Sequence, residues 1–335
     1  MAPPTMAREW NEFAKSYSVP SPSSIQEFRA QKLERMLKTQ GFLKDPNFAV
    51  LAIGAKVENT QITLPEVAGH KFGLRIYRPA RETAATLPIM LYFHGGYWCA
   101  GDANSEDFGC RAIVARGTDI IILSFEYRLI PEVKWHTVFS DAEYAMKWAA
   151  LNASSYGGDT SKGFLIGGAD AGAHLAAICA VRARDKYPNI KLTGQNLIVP
   201  TFMVWPDEKI PESWRSRLSS HTENADAPVL NQKLFEMFLS ALNVPEDEQR
   251  KGENFPTWAD LKGLPPAYLP MDECDPIRDH GFLYAELLRD AGVLTRTDYY
   301  RGLPNMFVQF PELPMTAIAG FHLSAAIKWL LQERK

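Results

Sequence analysis

The sequence predicts an α/β fold, a doubly wound and mostly parallel sheet with helices on both faces, and three observations predict it. Short, nearly continuous apolar runs occur at 89–93, 120–125 and 164–166, as strands covered on both faces require. Helix-like segments such as 141–151 separate them, which is the alternation a parallel sheet needs for its crossovers. The 335 residues are 46% hydrophobic and 22% charged, an ordinary globular mixture that excludes disorder and fibrous repeats.

Taken in order, residues 8–41 carry helical spacing, with Trp10, Phe13 and Tyr17 in one stretch and Ile25, Phe28, Leu33 and Met36 in the next. The run Val19-Pro20-Ser21-Pro22 breaks them. Residues 1–50 are expected to form a helical lid whose aromatic side chains either touch a ligand or hold lid to core. From about 56 the pattern becomes alternation, through Val57, Ile62 and Leu64 and then Phe72, Leu74 and Ile76, interrupted by Pro65 and Gly69. This is the signature of a hairpin or edge pair. Further strands are expected at 197–199, 267–271 and 295–300, and amphipathic helices at 278–291 and 314–332. Between 205 and 255 the alternation fails until Leu234, Phe235, Phe238, Leu239 and Leu242 restore a helical period. A second lid segment is expected at 205–255, dividing a core of 51–204 and 256–335.

Net charge is −3, with basic and acidic residues interspersed, so no basic field exists to collect nucleic acid or anionic lipid. Cys99, Cys110, Cys179 and Cys274 are far apart and form no C-x-x-C pair. They read as reduced, buried thiols in a cytoplasmic protein. The charged N-terminal stretch lacks a signal-peptide core, and no apolar run approaches the ~20 residues that span a bilayer. Neither metal-ligand spacing nor a G-x-G-x-x-G loop occurs, so no metal or cofactor is expected.

The chemistry concentrates at Gly168-Ala169-Asp170-Ala171-Gly172, which follows an apolar run and precedes a helix. It matches the frame of a nucleophile elbow, G-x-S-x-G, with Asp170 in place of serine. Upstream lies His94-Gly95-Gly96-Tyr97-Trp98, then Tyr127-Arg128-Leu129-Ile130-Pro131-Glu132, then Gly157-Gly158-Asp159-Thr160-Ser161. In this order and spacing the motifs resemble the hormone-sensitive-lipase-like (arylacetamide-deacetylase-like) branch of the α/β-hydrolases, over about 72–332.

The resemblance implies an oxyanion hole from the N–H groups of Gly95, Gly96 and Ala171, and a brace for that loop in His94. It places the acid at Asp275, in Asp275-Pro276-Ile277-Arg278-Asp279, and the base at Asn305, in Gly302-Leu303-Pro304-Asn305-Met306-Phe307. Ala169 stands where the family often has Asp. Tyr97 and Trp98 are candidate pocket walls, Met306 and Phe307 candidate floor residues, and His174, four residues past Asp170, a candidate neighbour of the site. Relatives often pair through the last strand and helix, which makes a homodimer an expectation.

Serine hydrolysis needs an imidazole that takes the nucleophile's proton and returns it to the leaving group. Asn305 does neither; its NH2 group could bridge Asp170 and Asp275. A nucleophilic Asp, as in haloalkane dehalogenases, also needs a His to activate water. The helix N-terminus favours ionised Asp170 and burial opposes it, and the carboxylate is long enough to occupy the oxyanion hole itself. The expected function is therefore non-hydrolytic acid–base chemistry on a hydrophobic small molecule. Cyclisation, condensation, isomerisation and elimination all suit such a site, and triad-altered relatives suggest specialised-metabolite biosynthesis. The alternatives are a carboxylic-ester hydrolase with an unusual site and a ligand-binding pseudoenzyme.

Overall fold

The computed structural model describes residues 4–19, 21–82, 85–204 and 209–332. Pro20 of the expected break, positions 205–208 of the expected second lid, and the chain ends 1–3 and 333–335 lie outside the described residues. Among the described residues, eight strands form one sheet: β1 (Ala55–Thr63), β2 (Lys71–Pro79), β3 (Ile89–Phe93), β4 (Ile121–Phe125), β5 (Phe164–Ala169), β6 (Gly194–Ile198), β7 (Ala267–Cys274) and β8 (Thr295–Pro304), in the order β1-β2-β4-β3-β5-β6-β7-β8. Direction changes only near one edge. β1 runs antiparallel to β2 and β2 to β4, whereas the pair of β4 with β3 and every later pair are parallel.

The helices are α1 (Arg8–Ser16), α2 (Ile25–Gly41), α3 (Ala49–Ile53), α4 (Asp107–Ala115), α5 (Trp135–Asn152), α6 (Ala171–Lys186), α7 (Glu212–Arg215), α8 (Ser220–Glu223), α9 (Gln232–Leu242), α10 (Arg278–Asp290) and α11 (Pro314–Gln332). One face of the sheet buries Val138, Phe139, Leu175, Ile178, Tyr284 and Leu288 from α5, α6 and α10. The other buries Cys110, Ile113, Val114, Ile327 and Leu330 from α4 and α11. All five residues of β3 and of β4 are buried, which is why those strands read as unbroken apolar runs.

Several strands outrun their apolar signal. β5 continues through Gly167 and Gly168 to Ala169, β6 begins at the small and polar Gly194-Gln195-Asn196, and β7 carries Asp272 and Glu273. At these ends the residues serve close approach or the site instead of the core, so hydrophobicity alone stops short.

α1 and α2 lie over the carboxyl ends of the strands. Trp10 and Phe13 of α1 pack on Phe310, with ring centroids 5.4 and 5.3 Å apart, and the Ala7 N–H donates to the Gly302 carbonyl at 2.7 Å. Phe28 of α2 meets Phe238 of α9 at 4.7 Å. These contacts bring 8–41 and the helix at 232–242 together above Tyr97, which stacks on Phe238.

Candidate active site

The turn from β5 into α6 is tight. A Cβ on Gly168 would sit 2.5 Å from the Phe93 carbonyl oxygen, and one on Gly172 only 2.0 Å from the same atom. Between these glycines Asp170 adopts φ 40°, ψ −106°, a conformation that costs a non-glycine residue about 1–3 kcal/mol. The strain lifts its side chain off the sheet and makes it the N-cap of α6.

There the carboxylate is held by three backbone N–H groups. Gly96 donates to Oδ2 at 2.7 Å, Tyr97 donates to Oδ1 at 3.0 Å, and Ala171 donates to Oδ1. Gly95, expected among the oxyanion donors, does not belong to the cradle: its N–H donates to Glu106 Oε2 at 3.2 Å. The reason is local. Gly96, Tyr97 and Trp98 all have positive φ, at 124°, 51° and 59°, and this coil turns the N–H groups of Gly96 and Tyr97 toward Asp170.

Asn305 follows the end of β8 and links the acid to the oxyanion loop. Its Nδ2 donates to Asp275 Oδ2 at 2.9 Å, and its Oδ1 accepts from the Tyr97 hydroxyl at 3.0 Å. The expected bridge from Asn305 to Asp170 is not made, because Tyr97 intervenes, with its N–H on Asp170 and its hydroxyl on Asn305. Asp275 completes its shell with the Ile277 N–H at 2.9 Å on Oδ1.

Burial dominates the electrostatics. Asp170 is 3% exposed, and burial raises its pKa above the ordinary carboxylate value against the opposing pull of Ala171, Lys32, Gly96 and Tyr97. Burial pushes Asp275 up to about 7, with the bond from Asn305 acting the other way. Asp272, on β7, is held well above its ordinary value by burial and by Asp275, while it accepts the Met306 N–H at 2.9 Å. That bond fixes Met306 at φ 53°.

A cavity of about 80 Å³ opens over Asp170, with Gly96, Tyr97, Asn305 and Met306 on its floor and Tyr17, Phe28 and Lys32 above. Trp98, His174 and Phe307 do not line it. Trp98 is fully buried and packs edge-on against His174 at 5.4 Å. The His174 ring turns to the Asn254 carbonyl at 2.7 Å and lies among Phe139 and Phe255. The i+4 relation fails because Asp170 is a strained cap and not a helical residue. Phe307 packs on Tyr300 at 5.0 Å.

Among the described residues, no imidazole bonds Asp170 or Asp275. His94 stacks on Tyr127 at 4.1 Å with Nδ1 3.0 Å from the Gly95 carbonyl oxygen, and burial lowers its pKa to about 4. His221 and His280 face each other, Nε2 to Nε2, at 3.0 Å.

Three residues at the site had no sequence signal. Lys32 of α2 pairs with Glu106 at 3.4 Å, Glu106 is raised by burial, and Asp272 sits inside a strand. Their roles depend on neighbours distant in the chain. Among the described residues, no group of three His, Cys, Asp or Glu is placed to hold a metal ion, no helix is long and apolar enough to cross a membrane, and all four cysteines are free and buried.

The arrangement can be set beside known proteins. A family model described as the α/β-hydrolase fold matches residues 90–309. The chain is 32% identical over 281 residues to the versiconal hemiacetal acetate esterase of Dothistroma septosporum, covering 83% of each. It is 35% identical to carboxylesterase NlhH of Mycobacterium tuberculosis, over 76% of this chain and 77% of that one. Among solved structures, vibralactone cyclase superposes with a TM-score of 0.88 at 28% identity, over 100% of this chain and 97% of that one. An esterase of Pyrobaculum calidifontis does so with a TM-score of 0.82 at 27% identity, over 97% and 99%. By sequence and by architecture, the chain belongs to the α/β-hydrolase-fold family, in its hormone-sensitive-lipase-like, carboxylesterase branch.

Proposed function

We propose that this member of the family performs non-hydrolytic acid–base chemistry, with Asp170 moving a proton on a hydrophobic small molecule enclosed under α1, α2 and α9. The observation that carries the reading is the Asp170 carboxylate in the cradle of Gly96, Tyr97 and Ala171 N–H groups. Those donors are what acyl transfer would use to stabilise a developing oxyanion. With a carboxylate already there, an incoming oxyanion meets repulsion, and no imidazole is at hand to relay protons.

What the site offers instead is a carboxyl group whose pKa burial raises above the ordinary carboxylate value, the direction that favours proton transfer by a carboxyl group. Each carboxylate oxygen accepts two hydrogen bonds, and among the described residues Oδ2 receives one, from Gly96. Its second lone pair is available to the cavity that Asp170 lines. Tyr97, Asn305 and Asp275 hold the loop and acid in place. Cyclisation, condensation, isomerisation or elimination fits such a base, in the cytoplasmic assembly of a specialised metabolite. A cyclase among the structural relatives is consistent with the first of these. A homodimer through β8 and α11 is part of the same proposal.

Ester hydrolysis is the second reading, and the names of the relatives favour it. The two separate experimentally. Deleting the gene in its own organism and identifying the metabolite that accumulates supplies the substrate. The purified protein should convert it without loss of an acyl group, and Asp170→Asn should lower kcat about 10²- to 10⁴-fold with binding retained. Full turnover by Asp170→Asn would refute the role of the base. Turnover of short p-nitrophenyl esters that vanishes in Asp170→Ala would establish the hydrolase, and tight binding with no product from any protein form would establish a receptor.

A further inference from the structure

A second cavity, of about 100 Å³, lies on the other side of Met306 from Asp170. It is enclosed by α2, α4, α11 and the ends of β3, β6, β7 and β8, and its lining is mostly apolar, with Phe108, Ile113, Ile198 and Leu323 among its walls. Lys32, Arg35, Met306 and Gln309 line both this cavity and the one over Asp170. The partition is thus built from four long, unbranched side chains. Arg35 is held between the rings of Tyr17 and Phe310 and Lys32 is paired with Glu106, so the movable part of the partition is Met306 and Gln309, whose flexible chains turn aside by rotamer changes.

Polar groups interrupt the apolar lining, among them Tyr92, Asp272 and Glu106. The Tyr92 hydroxyl makes no hydrogen bond to any described residue, although Tyr92 is almost wholly buried. Asp272 offers a carboxyl group whose pKa burial and the nearby Asp275 hold well above the ordinary carboxylate value. Glu106 sits at the partition with Lys32. The Tyr92 hydroxyl lines the cavity and is set to meet an occupant there.

We propose that this cavity is a subsite for one arm of the substrate: a short, uncharged hydrocarbon segment carrying one oxygen that bonds the Tyr92 hydroxyl. Size sets the class. A dry cavity of ~150 Å³ takes benzene, so the space here suits about four or five carbons, and the partition places such an arm next to Asp170. The assignment of this arm to a substrate rests on the acid–base reading above; the existence of the subsite does not.

The test uses small probes and needs no turnover. The full-length protein is titrated with 3-methyl-2-buten-1-ol and with 2-methyl-2-butene, read by NMR shifts of the methyl groups of Ile113 and Leu323. Both are expected to bind saturably. Gly109 lines the cavity and a Cβ placed there meets no atom within 4 Å, so Gly109→Leu has room to extend into the space, with circular dichroism and Tm checking that the variant is folded. It should weaken both probes at least tenfold. Tyr92→Phe removes the hydroxyl alone and should weaken the alcohol about three- to tenfold while leaving the hydrocarbon unchanged. Asp170→Asn should leave both affinities intact, which separates failure of the subsite from failure of the base. No saturable binding to the parent protein, or equal binding by Gly109→Leu, overturns the subsite; equal loss of both probes in Tyr92→Phe overturns the role of the hydroxyl.

Discussion

Replacing Asp275 by Asn changes one oxygen for an NH2 group and removes a carboxyl that burial raises from 3.8 to about 7. Because the folded-state pKa lies above the unfolded one, the native chain keeps this proton longer. Its contribution is complete below about pH 4 and is lost as pH rises through about 7. Between those limits the parent protein forfeits up to about 4 kcal/mol that the neutral amide does not. A second effect is independent of pH. The new side-chain amide presents an NH2 group to the Nδ2 of Asn305, and relief requires Asn305 to turn over, with its Oδ1 accepting from the new amide and its NH2 donating to the Tyr97 hydroxyl oxygen. Imperfect geometry in that rearranged chain costs about 1 kcal/mol. Asp275→Asn should therefore be slightly less stable than the parent at pH 4 and more stable by about 1–3 kcal/mol at pH 8.5. Urea unfolding at a series of pH values reads the difference. A stability difference that stays flat from pH 4 to 8.5 would refute the buried, high-pKa carboxyl.

The turn and the link make separate predictions. Gly172→Ala would place a methyl group 2.0 Å from the Phe93 carbonyl oxygen and 2.6 Å from that of His94; with backbone on both sides the cost is about 3 kcal/mol, seen as a fall of several degrees in Tm, and an unchanged Tm would contradict the close approach of elbow and oxyanion loop. Tyr97→Phe removes the donor to Asn305 Oδ1 and should destabilise by about 1 kcal/mol, with unchanged denaturant stability as the opposing result.

How far the sequence carries can be judged residue by residue. The strands at 89–93 and 120–125 are legible because full burial leaves an unbroken apolar run, and the helix at 314–332 because it is a long apolar stretch. The elbow is legible because Gly168 and Gly172 must stay bare against Phe93, a local demand written in local residues. Asp170, Asp275 and Asn305 are found by their place in ordered motifs, and the structure brings the last two into contact. What fails is whatever depends on orientation. The coil at Gly96–Trp98 decides that Gly95 serves Glu106 and that Tyr97 serves Asp170. The strained cap decides that His174 points away, toward Asn254. Lys32, Glu106 and Asp272 reach the site only through the packing of α2 and α4 over the strand ends, and residues that far apart leave no joint pattern in a single sequence.

The most direct measurement asks what the cradle does when the carboxylate is gone and an imidazole is returned. Asp170→Ser combined with Asn305→His would set a hydroxyl under the Gly96, Tyr97 and Ala171 donors and a base beside Asp275, the parts acyl transfer needs. Initial rates with p-nitrophenyl acetate should then be at background for the parent protein and about a thousandfold higher for the double variant. Hydrolysis by the parent at a rate equal to or above that of the double variant would contradict the claim that Asp170 has taken this site away from ester chemistry.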